Sequence, residues 1–148
     1  MKKLLPPYLF VLTVFAMGAV CWYSNSPHLI AMPYSFLGLL FVAFGIALAG
    51  RSSALFRKVG TNIMTFDEPG KLVTTGAFKF TRNPMYLGFS IALFGFAVLF
   101  GAAISSFVLV VFYVVVSDRW YIAYEEREMV KKFGEEYSLY RNSVRRWI

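Results

Sequence analysis

The chain has 148 residues, of which 58% are hydrophobic and 19% aromatic, and a formal net charge of +7. A soluble domain holds roughly 45–50% apolar residues, so this composition excludes an ordinary soluble fold. The single cysteine, Cys21, excludes an internal disulfide, and basic charge that flanks apolar runs suits anionic lipid headgroups rather than nucleic acid.

Four apolar runs follow one another at 4–23, 29–50, 84–103 and 104–124. Each is near the ~20 residues that a helix needs to cross a bilayer. None shows the alternation of a barrel strand. Backbone polar groups in lipid must bond within their own segment, so the runs read as helices. The expectation is an all-α integral membrane protein with four transmembrane helices, folded as one membrane domain over 1–148. Within it, 1–50 holds two N-terminal spans, 51–83 a connection, 84–124 a helical hairpin and 125–148 a tail. Lys2 and Lys3 resemble the start of a signal peptide. The run after them opens with Pro6 and Pro7 and ends in Cys21-Trp22-Tyr23 with no small-x-small cleavage site. It therefore reads as a retained anchor. In the second run, Gly38, Gly45 and Gly50 permit close helix approach.

The Lys and Arg residues alternate by side. The N-terminus, the connection 51–83 and the stretch from Arg119 onward hold all 15 of them. The connection 24–28 and the turn around Gly101 hold none. By the positive-inside rule both termini and the long connection are cytoplasmic. All 8 carboxylates share that side, so polar chemistry is expected to be cytosolic. The short length suits a bacterial or archaeal inner membrane.

Connections as long as 51–83 are usually functional or disordered. This one interleaves Leu72, Val73, Phe78 and Phe80 with Pro69, Gly70 and Gly76, and reads as ordered structure on the cytoplasmic interface. It ends in Arg82-Asn83-Pro84-Met85-Tyr86-Leu87-Gly88. Asn is a favoured N-cap and Pro a favoured first helical residue, so the third span is expected to start at Pro84. Continued to Ala103 it would be about 30 Å long. Gly101-Ala102-Ala103 then allows a tight hairpin. The uninterrupted apolar stretch Ile104 to Val116 is too short to cross alone. Ser117, Asp118 and Arg119 follow it, with Trp120, Tyr121 and Tyr124 as an interfacial belt. The helix is expected to continue through Glu125, Glu126 and Met129 to Phe133, with Gly134 as its stop. After it, Tyr137, Tyr140, Val144 and Trp147 predict an amphipathic C-terminal helix whose apolar stripe faces the membrane surface. Glu135 and Glu136 read as a solvated pair.

Three motifs converge on the cytoplasmic side. They are Leu72-Val73-Thr74-Thr75-Gly76-Ala77-Phe78, the run from Arg82 to Gly88, and Glu125-Glu126 followed by Phe133-Gly134-Glu135-Glu136-Tyr137 and Tyr140. In this order and spacing the chain resembles the isoprenylcysteine carboxyl methyltransferase family, part of a wider group that includes the phospholipid N-methyltransferases. The likeness covers residues 70–146. It implies S-adenosylmethionine as cofactor, held in a cytoplasmic pocket over the last two spans. Carried over by position, the cofactor contacts are Lys71, Leu72 and Val73 (largely through backbone), Phe78, Asn83, Pro84, Met85, Tyr86 and Glu125. Arg82 and Glu126 are the implied catalytic residues, Arg82 orienting the cofactor and Glu126 acting through its local charge. Arg119 and Tyr121 are the implied substrate contacts, and no metal is expected. The acceptor implied is amphiphilic or lipid-like and enters from the inner leaflet. A carboxylate comes first and a headgroup amine second.

The residue chemistry is compatible. A helix start offers unpaired N–H groups and the positive dipole end, and with Arg82 beside it suits a carboxylate. The rings of Tyr86 and Phe78 suit adenine or a sulfonium cation. Glu125 can accept from ribose hydroxyls or an amino group. Methyl transfer from a sulfonium needs alignment and exclusion of water more than a strong base. His28, the one histidine, is expected on the opposite face. Four positions depart from the family pattern, among them Gly70, where some members have a His. Asn83 stands where members usually have His, Phe78 where they have Tyr, and Tyr121 where eukaryotic members have a substrate-binding Arg. Two other readings stay open. One is a reductase similar in this region to sterol reductases, although the chain lacks a G-x-G-x-x-G turn. The other is a non-enzymatic scaffold that binds lipid or a partner.

Overall fold

The computed structural model describes residues 4–23, 27–61 and 70–148. Lys2, Lys3, Pro69 and residues 24–26 of the first connection lie outside the described residues. Within the described residues the chain is helical, with no strand. Helix α1 spans Pro6–Tyr23, α2 Gly38–Val59, α3 Pro84–Leu99, α4 Ile104–Val116 and α5 Ala123–Ser143. A π turn, Ser117–Ile122, joins α4 to α5 without a break. Short 3-10 turns lie at Tyr34–Leu37 and Gly76–Lys79. Three helical stretches are long and apolar enough to cross a membrane: Pro6–Tyr23, Tyr34–Val59 and Ile104–Ser143. Helix α3 is apolar but shorter, at 16 residues. Large apolar side chains such as Leu12, Phe15, Leu40, Phe44, Val108 and Val111 face outward. Water does not tolerate so much contiguous apolar surface, whereas lipid does.

Helix α2 departs from the expected 29–50. Its start is displaced because the chain before it is used elsewhere: the N–H groups of Leu29 and Ile30 both donate to the carbonyl of Gly101, at 2.9 and 3.1 Å. Its end lies beyond Arg51 because the stop signal is further on. Arg57 and Lys58 occupy the last turn, and Gly60 closes the helix with φ 73°. Basic residues complement the C-terminal dipole, and a left-handed glycine completes the cap.

Helix α3 is central, with Ala92, Leu93 and Ala97 fully buried. Its contact with α2 is built on paired glycines. A Cβ on Gly45 would sit 2.4 Å from the Gly88 carbonyl oxygen, and one on Gly38 would sit 2.3 Å from that of Gly95. The two backbones meet with no side chain between them, as in small-residue membrane helix pairs. Gly50 differs from the other two expected contact glycines, since a Cβ there would meet nothing within 4 Å. Helix α1 packs across α3 and α4. Its Phe10 stacks on Phe89 at 4.9 Å, and Leu9 and Met17 join Leu93, Tyr113 and Ile122 in the core. Cys21 meets Ser106 at 3.1 Å, a bond between α1 and the start of α4.

The turn after α3 carries positive φ at Gly101 and Ala102. His28 lies against it, its Nδ1 2.9 Å from the Phe100 carbonyl. His28 is therefore at the end of α3 opposite Pro84, as expected.

At the other end, Gly134 (φ 53°, ψ −118°) breaks the helical path of α5. The expected stop is thus a kink, after which the helix resumes to Ser143. The tail stripe is a correction. Tyr137 and Tyr140 are buried against the protein, 4% and 9% exposed, and do not face a membrane surface. The kink turns this segment back over the start of α3, where Tyr140 finds a carbonyl partner.

Candidate active site

The site lies where the connection, the start of α3 and the kinked α5 meet. The connection is tied to the cap of α2: Thr61 Oγ1 accepts the N–H groups of Gly70 and Lys71, each at 3.0 Å. Val73 and Phe78 are buried, and the Phe78 ring stacks on Phe56 at 5.0 Å. The Phe78 carbonyl accepts the Tyr140 hydroxyl at 2.7 Å. Asn83 and Pro84 are also buried, with Pro84 at the start of α3 as the sequence predicts. Asn83 makes no side-chain cap to the helix. Its amide donates instead to the Arg146 carbonyl at 3.0 Å.

A charged centre occupies this junction. Arg82 Nη1 pairs with Glu126 Oε1 at 2.8 Å, and both side chains are 9% exposed. Arg82 Nη1 also lies 3.3 Å from the Tyr137 hydroxyl. Arg146 donates to the same Glu126 from Nε and Nη2, and to Asp118 from Nη1. The Trp147 indole donates to Asp118 at 2.9 Å. The hydrogen bonds to Glu126 raise the Arg146 pKa above its ordinary value, with the Asp118 bond adding to them. Arg82 Nε is buried without a hydrogen-bond partner among the described residues. Sequence reasoning singled out Arg82 and Glu126 but not Asp118, Arg146, Trp147 or Thr81, whose hydroxyl donates to the Arg146 carbonyl at 3.1 Å. Their signals are weak, because Arg145-Arg146 reads as a basic membrane flank and Asp118 as the end of a span.

A cavity of about 550 Å3 is lined by none of these charged residues, but its wall includes Glu125, the chain neighbour of Glu126. Leu5, Pro6, Pro7 and Tyr8 wall it from the start of α1, and Ile46, Ala49, Gly50 and Ser53 from α2. Met85, Tyr86 and Phe89 line it from α3, and Glu125 from α5. The Tyr86 hydroxyl donates to Glu125 Oε1 at 2.7 Å. The cavity thus brings together Met85, Tyr86 and Glu125 from the expected cofactor set. The wall does not include Lys71, which is exposed, Leu72, which is half-buried, or the buried Val73, Phe78, Asn83 and Pro84, and it also lacks the expected catalytic residues Arg82 and Glu126. Tyr121 is buried, its ring 6.4 Å from that of Tyr86 and its hydroxyl bonded to the Leu4 carbonyl at 2.8 Å. Arg119 stands apart. Its side chain is 84% exposed and, among the described residues, pairs with Asp118 at 3.6 Å.

No group of three or more His, Cys, Asp or Glu side chains suited to a metal ion occurs among the described residues. A cavity of this size lies within the ~300–1,000 Å3 usual for small-molecule sites. Its apolar wall with one carboxylate can hold an apolar body and a cationic or hydrogen-bond-donating group, while the buried Arg82, three positions before Met85, keeps an unbonded Nε–H.

Comparison with known proteins gives this arrangement a family. The phospholipid methyltransferase family model matches residues 33–136. Methanethiol S-methyltransferase 1 of Bradyrhizobium diazoefficiens is 33% identical over 76 residues, which is 51% of this chain and 25% of that protein. The chain therefore matches only about a quarter of that relative's length. No solved structure matches the chain. With the family match running from before α2, through Arg82, Asp118 and Glu126, to just past the kink at Gly134, the chain belongs to the phospholipid methyltransferase family.

Proposed function

We propose that the protein is a four-span membrane enzyme that transfers a methyl group from S-adenosylmethionine to an apolar-bodied acceptor at the cytoplasmic face. The observation that carries this reading is the cavity, because residues from two distant motifs, Met85-Tyr86 and Glu125, share its wall. The cofactor fits the residues present. Glu125 would hold its ribose hydroxyls or amino group, and Tyr86 and Met85 would lie against its apolar and cationic parts. Arg82, with its unmatched Nε, would take its carboxylate. When bound, the cofactor supplies an electrophilic methyl group on a sulfonium centre. The protein's own part is to orient and to exclude water. Tyr86 fixes the Glu125 carboxylate, and Glu126 fixes Arg82. The apolar wall from Leu5 to Tyr8 and from Ile46 to Gly50 keeps the acceptor dry. Alignment of this kind supplies much of the rate; a thiol or ammonium acceptor must also lose its proton as the methyl group arrives, and Glu125 is the carboxylate among the described wall residues that could take it.

The cavity wall bears on the acceptor class. Glu125 is the one charged residue among the described residues that line it. A carboxylate acceptor would be disfavoured beside Glu125 on binding, whereas a neutral thiol or an ammonium headgroup would not. This favours a thiol or lipid headgroup amine over the carboxylate implied by the isoprenylcysteine resemblance. The thiol-methylating activity in the name of the bacterial relative supports the same choice. The carboxylate stays as the second reading on the strength of the three motifs. Transfer of labelled methyl from S-adenosylmethionine in proteoliposomes tests both. Labelling of an alkyl thiol or an aminophospholipid, with none of a prenylated carboxylate, is expected. Labelling of the carboxylate alone would reverse the order, and labelling of nothing would remove the enzymatic reading.

A further inference from the structure

Residues 144–148 belong to no motif, yet they hold the charged centre together. Arg146 donates to Glu126 through Nε at 3.1 Å and also through Nη2, and to Asp118 through Nη1 at 3.1 Å. Its carbonyl accepts from Thr81 Oγ1 at 3.1 Å and from the Asn83 amide at 3.0 Å. The Arg145 carbonyl accepts the Arg82 backbone N–H at 3.0 Å. Trp147 completes the set through its indole bond to Asp118. A guanidinium that only anchored the chain to lipid would project outward, as Arg119 does at 84% side-chain exposure; Arg146 is 31% exposed.

The helix geometry is arranged for this bridge. Asp118 and Glu126 are eight positions apart, which in a regular α-helix rotates them by about 80° from one another. A π turn inserts a residue into the helical path. Ser117–Ile122 is such a turn, and it carries both carboxylates toward one face. Arg146 then spans them. Glu126 is shared by two guanidinium groups, so Arg82 is held in place without being fully matched, and its buried Nε–H stays unbonded. A buried donor on a charged group is costly until it meets an acceptor.

We infer that Arg146 is a positioning residue, which fixes Glu126 by a two-point pair and so presents the Arg82 guanidinium to the carboxylate of the bound cofactor. The inference rests on the cofactor reading above. Asp118 and Trp147 lock Arg146 in turn, so the segment 144–148 completes the site without touching the ligand.

Calorimetric titration of the detergent-solubilised chain with S-adenosylhomocysteine tests this, using Arg146→Ala, Arg146→Lys, Arg82→Ala and the double alanine variant. Arg146→Ala is expected to weaken binding roughly tenfold, the equivalent of one charge-assisted hydrogen bond. Arg146→Lys restores only part of it, because an ammonium does not form the two-point fork. In the Arg82→Ala background, removing Arg146 adds less than about twofold, since the two act through one path. Emission from Trp147, with Trp22 and Trp120 replaced by Phe, reports docking of the segment without ligand. If Arg146→Ala does not fold, Asp118→Asn carries the test, with weakened binding expected. Wild-type affinity in a folded Arg146→Ala or Asp118→Asn sample overturns the inference, as does a full additional loss in the Arg82→Ala background. Failure of the wild-type chain to bind at all overturns the cofactor reading, and this inference with it.

Discussion

Tyr86 and Glu125 are 39 positions apart in sequence and 2.7 Å apart in the fold. A phenol donating to a carboxylate contributes about 1.5–3 kcal/mol. Tyr86→Phe is therefore expected to lower the unfolding midpoint and weaken S-adenosylhomocysteine binding severalfold, read by thermal melting and by titration. Unchanged values would disconnect this pair from the site. Arg119 makes the opposite case. The resemblance implies a substrate contact there, but the side chain is exposed and far from full engagement with Asp118. Exposed pairs contribute ~0–1 kcal/mol, so Arg119→Ala is expected to leave cofactor affinity within about twofold. The identity of Arg82 and Glu126 was legible in the sequence because each sits in a motif. That Arg146 shares Glu126 was not, because nothing at the residue level marks which of several flanking arginines turns inward. Asn83 shows the same limit: its type permits a cap, and only the fold shows its amide committed to the Arg146 carbonyl.

The contact between α2 and α3 depends on glycine at particular positions. A Cβ on Gly45 would lie 2.4 Å from the Gly88 carbonyl oxygen and 2.6 Å from the Ala92 nitrogen, both backbone atoms. Gly45→Ala must push the helices apart, and overpacking of this kind costs about 1–3 kcal/mol. Gly50→Ala meets open space, and alanine is intrinsically better in a helix by roughly 0.5–1 kcal/mol. Chemical unfolding in detergent should separate the two variants, Gly45→Ala less stable than wild type and Gly50→Ala not. Equal effects would contradict the glycine contact. At this scale the sequence showed where helices form better than where they end. The start of α3 was legible because Asn83-Pro84 is a local signal. The start of α2 was not, because the pairing of Leu29 and Ile30 with Gly101 is a contact between distant segments. The π turn was equally hidden, since an inserted residue leaves no trace in an apolar run that has already ended.

The charge asymmetry and the helix order agree across the whole molecule. The Gly101 turn and His28 lie at one end of α3, and Arg82, Arg146 and the cavity at the other. The positive-inside rule proposes that the basic end faces the cytoplasm, so an impermeant maleimide added to intact cells should label Pro27→Cys and not Arg141→Cys, both in a Cys21→Ala background. The reverse pattern would contradict the orientation. The central claim is narrower: the cavity that joins Met85, Tyr86 and Glu125 holds the methyl donor. Titration of S-adenosylhomocysteine into the wild-type chain and into Glu125→Ala tests it most directly. The account predicts saturable one-to-one binding by the wild type and at least tenfold weaker binding by folded Glu125→Ala, the loss of a charged hydrogen-bond acceptor. Equal binding by the two would place the donor elsewhere, and no binding by folded wild-type protein would contradict the methyltransferase account itself.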